Sequence, residues 1–455
     1  MQASEVKNKS DAKKIVQERE LDYVKVAVSD IDGILRGKYM QRDKFFSALD
    51  GGFGFCEVVL GWDSNDKLYD NVSYTGWHTG YGDSMVRVIP ESCRELPLED
   101  NMLLFLCEFE EKAEAVCPRG LLRRVLARAN DMNLKATAAC EFEFFVFDET
   151  SDSVREKNYR DLKNITPGFF GYSMLRNSVY SEFYEDLLKL STDMEFPIEG
   201  LHTETGPGVL EAAIAHCDAL TAADRAVLFK TYTKVLAQRN GWMATFMAKW
   251  SPDYPGQSGH IHISLCDTKG KPVFHDKKDE HGISETMRHF IGGQQALMPE
   301  LLSMIAPTVN SFTRLIPGFW APTTASWGVE NRTCALRAIP GKPKAQRVEY
   351  RIAAADINPY VALAAALGSG LWGIENAIEP GKPVVGNAYD VKVPSKYELP
   401  ATLFEAAGRL RNSSAAKALF GEPFVEHYAA TREWEEREFR KHITDWELNR
   451  YLEII

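Results

Sequence analysis

The sequence predicts an α+β protein of two domains. A strand-rich opening carries a hairpin signal, and near Cys117 the texture changes to a long alternation of strands and helices. In addition, 455 residues exceed what one compact core usually holds. The first domain is expected over residues 1–112 and the second, larger one over 113–455.

Residues 1–20 are polar and read as a helix or a frayed arm. The β-branched run Tyr23–Val28 leads into Ser29-Asp30-Ile31-Asp32-Gly33, where Asp-Gly between apolar runs signals a hairpin returning over Ile34–Met40. Further strands are expected over Ser84–Pro90 and Met102–Phe109. Beyond Cys117, Pro118 suits a first helical turn, and Leu121–Met132 keeps helical periodicity. Residues 219–239 and 357–374 also read as helices, and the Pro/Gly-rich stretches 253–259, 316–322 and 340–343 as shaped loops.

Composition narrows the function. A net charge of -11 argues against nucleic acid as a partner, because no basic face is available to neutralise phosphates. The 8 cysteines form no CxxC pair and no zinc spacing, which suits buried, reduced thiols. No stretch resembles a signal peptide or a bilayer span, so a cytoplasmic protein without a membrane partner is expected.

Four charged clusters carry chemistry. In Glu141-Phe142-Glu143-Phe144, strand alternation puts both carboxylates on one face, where they repel unless a cation separates them. Glu204 and Glu211 flank Gly206-Pro207-Gly208, a turn that brings them together. His260 and His262 share a strand face after a Gly-rich loop. Arg347, Glu349 and Arg351 share another. Taken singly, each has an ordinary reading: a solvated acidic face, a core histidine, a cross-strand ion ladder. Together they form an oxygen-rich set with one or two imidazoles, which suits Mg²⁺ or Mn²⁺ better than Zn²⁺. Arg314, Arg332, Arg337, Arg347 and Arg351 lie in the same half, and arginines beside such a cation are apparatus for phosphoryl transfer. No Walker-type glycine loop occurs.

Strung in order, EFEFF, HTETGPGVLE, SGHIHISL, NSFTRLIPGFWAP, WGVENRTCALR and PKAQRVEYR resemble the glutamine synthetase superfamily from Asp30 to the C-terminus. The resemblance implies an N-terminal β-grasp domain and a catalytic domain on a curved antiparallel sheet. It also implies a homo-oligomer, a dodecamer of two hexameric rings with active sites between subunits. It assigns Glu143, Glu204 and Glu211 to one metal, and Glu141, His260 and Glu349 to a second. Arg332, Arg337 and Arg347 would meet the phosphates of ATP, with Lys344 near the nucleotide and His262 and Ser264 on its ribose and adenine side. Arg314 and Arg351 would hold the glutamate carboxylate, in a pocket whose loop contains Gly256 and Gly259. The implied reaction phosphorylates the γ-carboxylate of glutamate and then lets an amine displace phosphate.

Two departures point to the amine. Trp320 stands where glutamine synthetases carry a flap glutamate that helps take a proton from ammonium. The family's Asp-Gly-Ser-Ser is absent at Phe55–Val59, and an insert at roughly Gly61–Gly82 brings Trp62, Tyr69, Tyr74, Trp77 and Tyr81. Aromatic faces in place of a carboxylate favour an amine with carbon attached. In this the chain looks like the γ-glutamyl-amine ligases, γ-glutamylpolyamine synthetases included, which implies a role in nitrogen metabolism such as polyamine catabolism. Glu57, Glu204 and Glu330 are candidates for taking the amine proton, and Glu57 and Asp63 for holding a far ammonium group. Tyr389 reads as an ordinary loop tyrosine. A true glutamine synthetase using ammonium, and a non-catalytic scaffold homologue, are the alternatives.

Overall fold

The computed structural model describes residues Met1–Ile455. The expected N-terminal arm is a docked helix. α1 (Lys9–Glu18) is capped by Asn8, whose side chain accepts from Asp11 N, and it buries Ala12, Ile15 and Val16. β1 (Tyr23–Ser29) and β2 (Leu35–Gln41) pair antiparallel across the expected turn. α2 (Arg42–Gly51), β3 (Phe53–Cys56), β4 (Asp83–Val88), β5 (Arg94–Glu95) and β6 (Leu103–Phe109) complete the first sheet. Its order is β2-β1-β6-β4-β3, with β5 also on β6. β1 and β6 run parallel.

α3 (Pro118–Asp131) starts on its proline and buries Leu121, Leu122, Val125 and Ala129, the stripe its periodicity implied. It leads into β7 (Leu134–Phe147), the long strand on which the second sheet is built. α4 (Ser151–Glu156), α5 (Met174–Val179) and α6 (Ser181–Asp193) precede a hairpin of β8 (Ile198–Thr203) and β9 (Val209–Ile214). Then come β10 (Cys217–Asp218), α7 (Ala219–Arg239), β11 (Met243–Thr245) and β12 (Gly259–Asp267). α8 (Glu285–Leu301) and α9 (Val309–Arg314) follow, then β13 (Trp327–Val329), β14 (Leu336–Ile339) and β15 (Arg347–Tyr350). The chain ends in α10 (Pro359–Glu375), α11 (Leu403–Asn412), α12 (Ser414–Phe420), α13 (Glu422–Phe439) and α14 (Asp445–Tyr451). No helix is long and apolar enough to cross a membrane.

The second sheet runs β13-β14-β15-β12-β7-β9-β8, with β10 and β11 also on β7. It is a curled, half-barrel sheet, antiparallel apart from the β13–β14 pair. Phe142 and Phe144 point from β7 to the helical layer, where Phe229 of α7 lies 6.0 and 5.8 Å from them. The intervening glutamates therefore face the concave side. Behind the sheet, α10 is buried along nearly its whole length and crosses α8 at backbone contact. A Cβ on Gly293 would fall 2.2 Å from the Ser369 carbonyl, and one on Gly373 2.1 Å from that of His289.

One continuous hydrophobic core underlies both sheets. Two polar devices lock them. At the tip of the β1–β2 hairpin, Asp30 Oδ1 accepts from Asp32 N and Ile34 N, and Gly33 adopts φ +83°. Asn358 Nδ2 donates to the Asp30 and Ile31 carbonyls, while Arg432 reaches Asp32 Oδ1 at 2.6 Å. The second device is Arg119, which donates to Glu108 Oε2 at 2.6 Å and in a fork to Asp224 at 3.0 and 3.1 Å. Glu108 is fully buried on β6 and Asp224 lies on α7, so the guanidinium joins the first sheet to the helical layer of the second. Replacing it by methionine leaves Asp224 without a cation. Arg119→Met is expected to lower unfolding free energy by about 3 kcal/mol, read as a fall in the urea midpoint.

Candidate active site

Strand register assembles the site. Across the sheet, Arg337 stands opposite Glu349, and Glu349 opposite His262. His260 faces Glu141, Glu143 faces Glu211, and Glu211 faces His202. Residues from six strands thus meet on the concave face, around a cavity of about 460 Å³. Every residue assigned from sequence to metal, ATP or glutamate lines it except Ser264, Lys344 and Gly259. Ser264 and Lys344 line an adjoining cavity of about 730 Å³ that shares Glu141, His262 and Arg347 with the first. Gly256 lines the smaller cavity, and a Cβ there would meet Arg314 Cγ at 2.6 Å. Gly259 lies behind it, against the Phe142 ring and the Ala354 carbonyl.

Ligand atoms gather in two groups, one of Glu141, His262 and Glu349, the other of His202, Glu204 and Glu211. Each shares two glutamates with a set implied by resemblance. His262 lies 3.2 Å from Glu141, and His260 Nδ1 lies 3.6 Å from Glu141 and 3.4 Å from Glu349. His202 joins the other group. It escaped the sequence reading because a single imidazole before Thr-Glu-Thr carries no spacing of its own; its register opposite Glu211 was the signal. Glu143, opposite Glu211, accepts at Oε2 from Ser258 N at 2.6 Å.

The electrostatics explain why the groups fit divalent cations. Burial and the neighbouring Glu141 charge push Glu211 up to about 11. Burial opposes ionisation of Glu141 as well, but hydrogen bonds from His260 and His262 overcome it and hold this carboxyl below its ordinary range. The two carboxyls thus share a proton where a cation would otherwise sit. Burial raises Glu143 to about 7 and lowers His260 to about 4. Glu349 is held at about 2 against its burial by the neighbouring His260 ring and by the Arg351 and Arg337 charges. Four carboxylates and two imidazoles in two adjacent groups match the donor chemistry of Mg²⁺ or Mn²⁺.

The arginines ring this centre. Arg337 donates to Glu349 Oε2 at 3.0 Å and is also paired with Glu330. Arg351 pairs with Glu349, and Arg347 Nε donates to His262 Nδ1 at 3.2 Å. Arg314 is buried, and its guanidinium donates to the Ile352 and Arg351 carbonyls. Arg332 lines the cavity without a carboxylate partner, free for an anionic ligand.

Aromatic rings close the open end: Tyr172, stacked on His202 at 4.3 Å, with Phe319 and Trp320. Trp320 is 59% exposed and sits at φ +61°. The aromatics of the 61–82 insert do not line this cavity within the chain. Tyr69 is buried against Trp434 of α13, Trp62 lies under Arg36, and Tyr74 meets His427 edge-on; only Trp77 is widely exposed, with Tyr81 against it. Asp63 is likewise taken, by Trp434 Nε1 at 3.1 Å, and Glu57 accepts from Thr75, Thr79 and Ser84. Glu330 is engaged by Arg337 and does not line the cavity. The Tyr389 hydroxyl donates to Ala321 O at 2.9 Å, at the end of the flap.

Comparison with known proteins gives this geometry a family. Residues 115–451 match the glutamine synthetase catalytic domain. A protein of Dictyostelium discoideum named type-1 glutamine synthetase 2 is 46% identical, over 95% of this chain and 84% of that one. A glutamate–isopropylamine ligase of a Pseudomonas species is 37% identical, over 97% of each. The solved structure of a GmaS–ADP complex superposes with a TM-score of 0.84 at 25% identity, covering 97% of this chain and 99% of that one. The class is therefore a carbon–nitrogen ligase of the ATP-dependent kind. The chain belongs to the glutamine synthetase family.

The raised carboxyls have a consequence for stability. A carboxyl whose folded pKa is raised stabilises the protein at low pH, and that stability is lost as pH climbs from the ordinary carboxylate range through the folded pKa. For Glu143 the loss ends near 7, and for Glu211 it continues to about 11. The thermal midpoint of chelator-treated protein is expected to fall between about pH 6 and 9, and Mn²⁺ to remove most of that fall by replacing the shared proton. Glu211→Gln should flatten the metal-free slope and weaken Mn²⁺ binding roughly tenfold or more, measured by calorimetry.

Proposed function

We propose that this ligase joins the γ-carboxyl of glutamate to an organic primary amine by way of γ-glutamyl phosphate. The observation that carries the reading is Trp320, an indole at the cavity wall where the family's ammonium-using members carry a carboxylate. The resemblance to an isopropylamine ligase along the whole chain supports it. Arg314 and Arg351 hold the glutamate carboxylate, and Gly256 leaves room for the Arg314 side chain. ATP lies in the larger cavity between Ser264 and Lys344, with its phosphates toward Arg332, Arg337 and Arg347.

Glu141, His262 and Glu349, and His202, Glu204 and Glu211, would hold Mg²⁺ or Mn²⁺, which when bound would supply charge that neutralises the phosphoryl oxygens. The arginines orient the phosphoryl donor and the accepting carboxylate toward each other. Glu204, a carboxylate on the cavity wall, takes the proton that the amine carries, since alkylamines titrate near the lysine value of about 10.4. Aromatic faces at Tyr172, Phe319 and Trp320 receive the carbon body of the amine. The working form is a cytoplasmic homo-oligomer, a dodecamer of stacked rings, in which a neighbouring subunit can bring Trp77 and Glu57 to the rim.

A second reading, ammonium as the amine, is favoured by the higher identity to a glutamine synthetase. Phosphate release from ATP with Mg²⁺ and glutamate distinguishes the two when ammonium, isopropylamine, ethanolamine, putrescine, spermidine and an aromatic amine are offered separately. Turnover with organic amines and little with ammonium is expected; turnover with ammonium alone refutes the proposal. In the same assay Trp320→Glu is expected to shift the ratio of kcat/KM values toward ammonium by about tenfold.

A further inference from the structure

Lys249 is a buried cation with no hydrogen-bond partner. The residue is 7% exposed, and its Nζ contacts no acceptor. An unpartnered ammonium at such a place is costly, and burial lowers its pKa below the ordinary lysine value. The one group it addresses is a ring: Nζ lies 4.5 Å from the centroid of Phe319. Phe319 is on the flap, beside Trp320, and lines the cavity.

The flap is held beyond Trp320, where Ala321 is buried and Thr324 bridges Glu398, and less firmly before it. From residue 317 to 324 no backbone N–H reaches a main-chain carbonyl. Gly318 adopts φ +85° and Trp320 φ +61°, and the Tyr389 bond to Ala321 anchors only the far end. The root is fixed by Lys249 itself. Asn310 of α9 clamps the Lys249 main chain, accepting from its N at 2.8 Å and donating to its O at 2.7 Å. α9 then runs through Arg314 into the flap. One residue therefore touches the flap-bearing segment twice, at its root through the backbone and at its tip through the ammonium.

We infer that Lys249 is a positioning residue, a latch that holds the flap over the reacting centre through the face of Phe319. The inference rests on the proposed reaction, in which an acyl phosphate must survive until the amine arrives. Attack by the amine nitrogen on the acyl carbon breaks the carbon–oxygen bond to phosphate and gives amide, phosphate and a proton. Attack by water breaks the same bond, returns glutamate and wastes the ATP. A latched flap keeps water out while the amine's own body fills the aromatic mouth.

The test measures phosphate released per amide formed. Wild type is expected to give a ratio of about one. Lys249→Met, which keeps an unbranched chain one atom shorter and removes the charge, should raise the ratio several-fold with little change in KM for ATP. Lys249→Arg, which keeps a cation for the ring, should restore it. Phe319→Leu alters a partly exposed flap residue outside the hydrophobic core. It should reproduce the uncoupling, and combining it with Lys249→Met should add nothing further. A ratio near one in both single variants overturns the latch. Chymotryptic cleavage at Phe319 and Trp320, followed without substrates, provides an arm that needs no turnover. Faster cleavage in Lys249→Met supports the latch and an unchanged rate counts against it, even if wild type forms amide from no amine and the proposed reaction falls.

Discussion

Repulsion among buried carboxylates is the constraint around which this structure is organised. Glu141, Glu143, Glu211 and Glu349 converge on one concave surface with Glu204 at its edge. A protein can hold such a set only by surrounding it with cations, by leaving protons on some of its members, or by binding metal. The first two are visible, and the residues for the third are in place. Arg337 and Arg351 keep Glu349 ionised, His260 and His262 do the same for Glu141, and Glu211 retains its proton. The sheet must be rigid for this balance to hold. Its back is sealed by the aromatic layer of Phe142, Phe144, Phe229 and Phe246, and by helices that meet at bare backbone.

Much of this was legible where the signal is local. Alternation along Glu141–Phe147 gave the inward carboxylates because a strand's period does not depend on its partners. The Asp30–Gly33 turn and the Pro118 helix start were legible for the same reason. The family motifs supplied the cavity wall, and the wall residues do meet. What escaped was tertiary. Nothing in the sequence says that Tyr69 and Trp62 are consumed by α13 and Arg36 and never reach the cavity. Nor does anything local set His202 opposite Glu211, or place His262 beside Glu141; register across four strands decides both.

The site also shows how a family can alter one substrate and leave the rest of its chemistry untouched. Most metal-ligand candidates, with Arg337 and Arg347, come from strands, whose register fixes their places. Trp320, Phe319 and Tyr172 come from loops. Loops tolerate substitution without disturbing the sheet, so the group that receives the amine can change while the apparatus for phosphate remains.

The lock at the β1–β2 hairpin reaches further than its few bonds suggest. Asp32 and Arg432 are separated by 400 positions, and Asn358 lies 328 beyond Asp30. During synthesis the hairpin leaves the ribosome first and waits for both of its docking partners until nearly the last helix is made. The first sheet must spend most of translation with one face uncovered, and its completion is set by the arrival of the chain's end. An amino-terminal fragment would therefore be an unfinished half of a common core, and truncation from either end would expose the same seam.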